Sequence, residues 1–159
     1  MPTETTPVTQ ALDHLNIPYT FFRHPGRVHS LEQAAAERGQ RPTQIVRSLL
    51  FRLAQDDFVL VLAAGPQQLS WPELRRHLGE TRMTMATPEE VLQVTGFPTG
   101  AVSPFGLPMP LRTLVDESVL QEEIVSIGAG VRNATIILRR DDLLAALGPV
   151  EIADFSPAG

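Results

Sequence analysis

Apolar positions recur at helical spacing in several short stretches, and each stretch carries its own start and stop signals. Val8, Ala11, Leu12 and Leu15 form one stripe, opened by Thr6-Pro7 and ended across Asn16 to Pro18. Ser30 and Gln33 read as a capping box for a second helix through Leu31, Ala34 and Ala35, stopped by Gly39. Ser70 with Glu73 opens a third that ends at Gly79, and Thr87, Pro88 and Glu90 open a fourth that ends at Gly96. Asp116 offers a cap for a short helix, while Asp141 opens the last, closed by Gly148 and Pro149. Between these lie β-rich segments at 19–23, 45–53, 58–64, 82–85, 111–115, 123–127 and 134–138. The second and third are joined by Ala54-Gln55-Asp56-Asp57, a hairpin-sized polar link. No period of 20–50 residues recurs, so a repeat architecture is excluded. The pattern predicts one α+β domain over residues 1–159, a mixed sheet with helices around it, frayed near 1–5 and 155–159.

Composition narrows the class. With 159 residues, 43% hydrophobic and 19% charged, the chain is long enough to bury a core without staples. No cysteine is present, which excludes disulfide scaffolds, thiol catalysis and thiolate metal sites. The longest apolar run, Phe58 to Gly65, is about half of the roughly 18 residues that a spanning helix needs. Met1 to Thr9 is polar and has no basic-then-apolar signal pattern, so a soluble cytoplasmic protein without a membrane partner is expected. Net charge is −5, and all 13 basic residues are arginine. That balance argues against wrapping DNA by bulk charge, yet leaves room for a local arginine-lined groove. Exclusive use of arginine also fits a compositional bias of the source genome.

Few residues suggest chemistry on their own. His24 and His29 stand five apart with no cysteine and no convincing carboxylate partner at ligand spacing, so the four histidines, His14 and His77 included, read as structural or surface residues, and no metal is expected. Neither a nucleophile elbow nor a phosphate-binding Walker loop occurs. Arg47 is more informative: alternation places it with Ile45, Leu49, Phe51 and Leu53 on one strand face. A guanidinium there either lines a cavity, joins a structural ion pair, or snorkels at a sheet edge. The stretch from Gly96 to Pro110 carries prolines 98, 104, 108 and 110, so neither helix nor regular strand can run through it. Within it, Gly100-Ala101 would let backbone N–H groups approach a ligand, or the loop is a proline-stiffened surface connection. Gly128-Ala129-Gly130 reads as a further loop or a plain turn.

Taken together, the segments resemble the YbaK/ProX family, aminoacyl-tRNA deacylases related to the editing domain of bacterial prolyl-tRNA synthetases. The resemblance runs from about Tyr19 to Phe155. It is carried by His24-Pro25, then Val28-His29-Ser30-Leu31-Glu32-Gln33-Ala34, then Gln44-Ile45-Val46-Arg47-Ser48-Leu49-Leu50 and Gln68-Leu69. Thr95-Gly96 followed by Val102-Ser103-Pro104-Phe105-Gly106 is its most specific piece, and Asn133-Ala134-Thr135 before Asp142-Leu143-Leu144 closes it.

The resemblance implies a mostly antiparallel, partly barrel-like sheet flanked by helices. It also implies hydrolysis of the ester that joins a wrong amino acid to a tRNA 3′ end, apart from the synthetase and without metal or other cofactor. Such a second sieve is needed because binding pockets discriminate a methylene by only about 1–3 kcal/mol. By resemblance the catalytic positions are Arg47, Gly100 and Ala101. The substrate-binding positions are Phe22, His24, Ser48, Val102, Ser103, Gly128 and Thr135. The partner is the aminoacyl-tRNA acceptor end, with a synthetase as a possible source of tRNA choice.

The chain departs from the family at two places. Arg47 stands where relatives carry a lysine, and Gly128 stands where they often carry serine or histidine. An always-protonated guanidinium holds anions but moves no proton. The alternative is therefore a binding module of the same fold that recognises an aminoacyl-tRNA end or an amino-acid-like ligand without turnover.

Overall fold

The structure is a computed structural model that describes residues 4–54 and 56–157. Helices form where the caps predict them: α1 (Pro7–His14), α2 (Leu31–Arg38), α3 (Trp71–Leu78), α4 (Pro88–Thr95) and α5 (Arg140–Leu147). Thr87 and Glu90 close a full capping box on α4. At α2 only half of the expected box forms. Ser30 accepts from the Gln33 amide, but the Gln33 side chain turns back to the His29 amide instead. Asp116 caps a 3₁₀ turn, Glu117–Leu120, by accepting from the Ser118 amide.

The strands are β1 (Thr20–Arg23), β2 (Val46–Arg52), β3 (Phe58–Ala64), β4 (Thr84–Met85), β5 (Thr113–Asp116), β6 (Ile124–Gly128), β7 (Ala134–Arg139) and β8 (Glu151–Ala153). They build two sheets. One, in the order β1-β7-β6, is antiparallel throughout. The other, β4-β2-β3-β5-β8, is antiparallel as far as β3 and parallel from β3 through β5 to β8. A single parallel bridge between Ile45 and Ser126 touches both sheets, and no closed barrel forms. The mixed, mostly antiparallel α+β architecture is the expected one.

The β2–β3 hairpin is buried on both faces, which explains why β3 reads as an unbroken apolar run. Leu50, Leu60 and Leu62 pack into a large core with Val8 and Leu12 of α1 and Ile127 and Ile136 of the first sheet. The other face, Phe51, Val59 and Val61, packs with Leu74 of α3, Leu114 and Phe155 in a second cluster. Phe155 corrects the expectation of a frayed C-terminus. Its ring is buried, its amide donates to Asp116, and its carbonyl accepts from Ser70. Residues 1–3 and 158–159 of the ends expected to fray, and Gln55 of the hairpin link, lie outside the described residues. Strand β8 was not expected. Among the described residues, no helix is long and apolar enough to cross a membrane.

Candidate active site

A cleft of about 690 Å³ opens between α2, β2, β6 and the loop that follows α4. Arg27, Arg38, Arg47 and Arg132 line it, and no aspartate or glutamate does. None of these four is ion-paired among the described residues, whereas Arg23, Arg41, Arg52, Arg76, Arg112 and Arg140 each meet a carboxylate. In a chain of net charge −5, the cleft is a local concentration of arginines that form no ion pair among the described residues. Arg27 and Arg132 are exposed at its rim, while Arg38 and Arg47 are half-buried. A second groove, beside Pro104–Thr113, is lined mainly by apolar and proline residues, and its two charged residues, Arg112 and Glu151, pair with each other.

Arg47 lies on β2 as the alternation predicts, sharing its face with Leu49 and Phe51 of the second core cluster. Its Nη2 donates to the Gln67 carbonyl at 2.5 Å. Burial pulls its pKa below the usual guanidinium value, against the opposing field of Asp116. Its Nε and the neighbouring Ser48 Oγ are the two buried side-chain polar atoms, among the described residues, that have no hydrogen-bond partner. Native interiors leave few such atoms, and here two fall on consecutive strand residues whose side chains leave opposite faces of β2.

The loop after α4 carries Gly100 at φ +89°, a conformation that glycine adopts without the Cβ penalty. Nothing lies within 4 Å of where its Cβ would point, and among the described residues its amide has no partner. Ala101 differs. It is fully buried, its N–H donates to Pro98 and its carbonyl accepts from Gly130, each at 3.0 Å. Of the two backbone amides expected to hold a substrate oxygen, the structure leaves Gly100 available and uses Ala101 to build the turn.

Gly128 explains how this loop is held. A Cβ there would sit 2.0 Å from the Val102 carbonyl oxygen, so only glycine lets the loop backbone lie against β6. Thr135, paired opposite Gly128, donates its hydroxyl to the Ile127 carbonyl at 2.8 Å.

The remaining expected positions divide. His24, Ser48, Val102, Gly128 and Thr135 join Arg47 and Gly100 in the lining, whereas Phe22, Ala101 and Ser103 do not. Ser103 is fully buried and its hydroxyl accepts from the Phe105 amide, a local turn contact. Phe22 packs edge-on against the His24 ring with centroids 5.0 Å apart.

Both nitrogens of His24 are engaged. Nδ1 contacts Glu37 at 2.6 Å, and Nε2 contacts Arg38 Nη1 at 2.9 Å. Arginine can only donate, so Nε2 accepts and the ring hydrogen sits on Nδ1, facing the carboxylate. Hydrogen bonds from Gln33 and then His24 hold the Glu37 carboxyl below its usual range. Arg38 continues the chain to Ser126 Oγ at 2.9 Å and to Gln40 at 3.1 Å, and burial lowers its pKa to about 10. His24 thus lines the cleft with both ring nitrogens engaged by protein partners.

Glu37, Arg38, Ser126, Arg27 and Arg132 are not marked by any motif in the sequence. Ser126 carried a usable signal: a hydroxyl at a buried position of an apolar strand raises the same question as Arg47. Among the described residues, no three His, Asp or Glu side chains gather as a metal site.

Residues 25–146 match the profile of the aminoacyl-tRNA editing domain. The chain belongs to that family. The editing domain is 34% identical over 102 residues to the proline–tRNA ligase of Thermotoga sp. (strain RQ2), covering 64% of this chain but only 17% of the ligase. It is 33% identical over 127 residues to the uncharacterized protein YwhH of Bacillus subtilis (strain 168), covering 80% of this chain and 74% of that one. A crystal structure described as a candidate trans-editing enzyme for prolyl-tRNA synthetase superposes with a TM-score of 0.87 at 30% identity, over 96% of both chains. The fold of that structure is therefore present nearly whole, while the chain spans less than a fifth of the length of the ligase it matches.

Proposed function

We propose that this editing domain hydrolyses, in trans and without a metal, the ester between a wrong amino acid and the 3′ end of a tRNA in the cytoplasm. The observation that carries the reading is a cleft lined by Gly100 and by four arginines that have no ion pair among the described residues, with no carboxylate in its lining. A polyanionic ligand suits such a lining, and the exposed Arg27 and Arg132 meet its phosphates at the rim. Inside, the Gly100 N–H and the Arg47 guanidinium stabilise negative charge on the ester carbonyl oxygen as water attacks. The water oxygen bonds to the carbonyl carbon, and the ester C–O bond breaks. A proton passes to the ribose oxygen as it leaves, and the amino acid departs free. Arg47 stays protonated and moves no proton, so proton transfer falls to water and to the substrate's own groups.

One observation favours a second reading, a binder without turnover. Arg47 Nη2 is already held by the Gln67 carbonyl, which restrains the cation that stands in for the family's lysine. A deacylation screen over tRNAs mischarged with each amino acid, run with and without a strong chelator and across salt, decides between the two. Turnover on at least one ester is expected, insensitive to chelator, with affinity falling by a log–log slope of roughly −0.7 per phosphate contact. Silence on every ester would sink the hydrolase, and activity restored by added zinc would sink its metal independence. A flat salt response would point to a free small ligand. A synthetase partner that supplies the choice of tRNA would appear as a rise in turnover when prolyl-tRNA synthetase is added.

A further inference from the structure

Arg38 is not needed by the reaction as described, yet it is the most elaborately held cation in the cleft. Three of its five N–H donors are taken by acceptors without formal charge: His24 Nε2, Ser126 Oγ and Gln40 Oε1. Its nearest carboxylate, Glu37, stands behind the His24 ring rather than on the guanidinium. One N–H on each terminal nitrogen is therefore left over, in a half-buried group that lines the cleft. The Ser126 hydroxyl, having accepted from Arg38, keeps its own hydrogen to donate, and no acceptor for it occurs among the described residues. A half-buried guanidinium with vacant donors facing the cleft is a ready partner for a ligand that supplies oxygen acceptors.

Depth suggests which part of the ligand does so. Chain phosphates can be met at the rim by the exposed Arg27 and Arg132. Ser126 is fully buried and sits two residues before Gly128, the seat of the Gly100 loop. The part of an aminoacyl ester that enters deepest beside the reacting carbonyl is the amino-acid side chain.

We propose that Arg38 and Ser126, oriented by the Glu37–His24 pair, form the specificity floor of the cleft and select an amino acid whose side chain ends in an oxygen acceptor, hydroxyl or carboxylate. This rests on the hydrolase or binder reading above, since it needs an aminoacyl-adenosine end as ligand. His24 is a positioning residue that acts through Arg38. A site built around buried donors rejects an analogue lacking the acceptor far more strongly than an apolar pocket rejects a missing methylene.

The test uses adenosines carrying a 3′-amide-linked amino acid, which cannot be hydrolysed and have no phosphate. Three matched pairs are titrated by calorimetry: serine against alanine, threonine against valine, aspartate against leucine. In the wild type, the oxygen-bearing member of at least one pair should bind on the order of a thousandfold more tightly, beyond the roughly 10–200-fold that a methylene is worth. Arg38→Met should collapse that ratio to within about threefold, through loss of affinity for the oxygen-bearing member. His24→Gln, which keeps an acceptor toward Arg38, should retain the preference, and His24→Leu should lose it. Ser126→Ala gives a second reading of the floor with all charges kept, should Arg38→Met melt too low to assay.

Equal or tighter binding of the apolar member in all three pairs would overturn the proposal, as would a ratio indifferent to Arg38→Met. A loss on Arg38→Met that appears only with phosphate-bearing tRNA would assign Arg38 to the nucleotide backbone and overturn it too. Binding without side-chain preference fails this inference alone, whereas no binding by any analogue fails it together with the aminoacyl-end reading.

Discussion

Replacing Gly128 by alanine tests the link between fold and site directly. The added Cβ would lie 2.0 Å from the Val102 oxygen, 2.7 Å from its carbonyl carbon and 3.0 Å from the Ala101 oxygen. Real contacts need more than an ångström of relief, and neither side yields freely. Gly128 is paired with Thr135 in the sheet, and the Ala101 carbonyl is tied to the Gly130 amide one step along the chain. Overpacking of this kind costs about 1–3 kcal/mol. For a chain of this size each kcal/mol lowers Tm by roughly 2–4 °C, so a fall of several degrees is expected. The functional loss should be larger, because moving the Gly100 amide by about an ångström misplaces it against the ester and can cost on the order of a hundredfold. Differential scanning fluorimetry and single-turnover deacylation of the best ester from the screen measure the two effects. Gly26→Ala is the control, since its Cβ would meet nothing within 4 Å. A Gly128→Ala protein melting within a degree of wild type, at full rate, would show that the loop is not seated on this glycine.

Four further outcomes are expected. Arg47→Ala should cost on the order of 2–4 kcal/mol of transition-state stabilisation with the fold intact, because it leaves behind a carbonyl rather than an ion-paired carboxylate; unchanged kcat/KM would remove Arg47 from the site. Arg47→Lys should keep turnover measurable if the chain is a hydrolase, and a silent wild type rescued by lysine would identify a binder. Gly100→Val should abolish turnover by filling the open side of the loop, and the strain of a side chain at φ +89° should add a destabilisation of about 1–2 kcal/mol; full activity would exclude the Gly100 amide as the carbonyl anchor. Acid stability should follow Glu151 and Glu122, whose carboxyls are lowered to about 2 by hydrogen bonds from Arg112 and Arg41 respectively. The folded state binds their protons less readily than the unfolded state, so their stabilisation is full above the ordinary value of 4.5 and is lost as pH falls toward about 2. Glu151→Gln should flatten the fall of Tm across that window, and an unaltered slope would refute the assignment.

Local chemistry settled much of this protein before tertiary structure entered. A capping hydroxyl and a closing glycine act within one or two helical turns, so α2, α3 and α4 begin and end as their caps dictate. Alternation likewise placed Arg47 beside Leu49 and Phe51, and the exclusion of helix and strand by prolines marked the loop that carries Gly100. Tertiary contact decided the rest. Glu151–Ala153 has too few residues to show a pattern and is a strand only because β5 offers it a parallel edge. The same sheet buries Phe155, which the sequence alone would leave at a loose end.

The polar chain through Glu37, His24, Arg38 and Ser126 joins α2, the end of β1 and β6, with Arg38 and Ser126 separated by 88 positions. No periodicity or motif spacing links residues so far apart. Gly128 makes the same point in reverse. The sequence marks it as a glycine in a turn-rich segment, but the reason it must lack a side chain is another loop's backbone, brought there by folding. The capped helices have their causes in neighbours along the chain, whereas β8 and the site have theirs in neighbours in space.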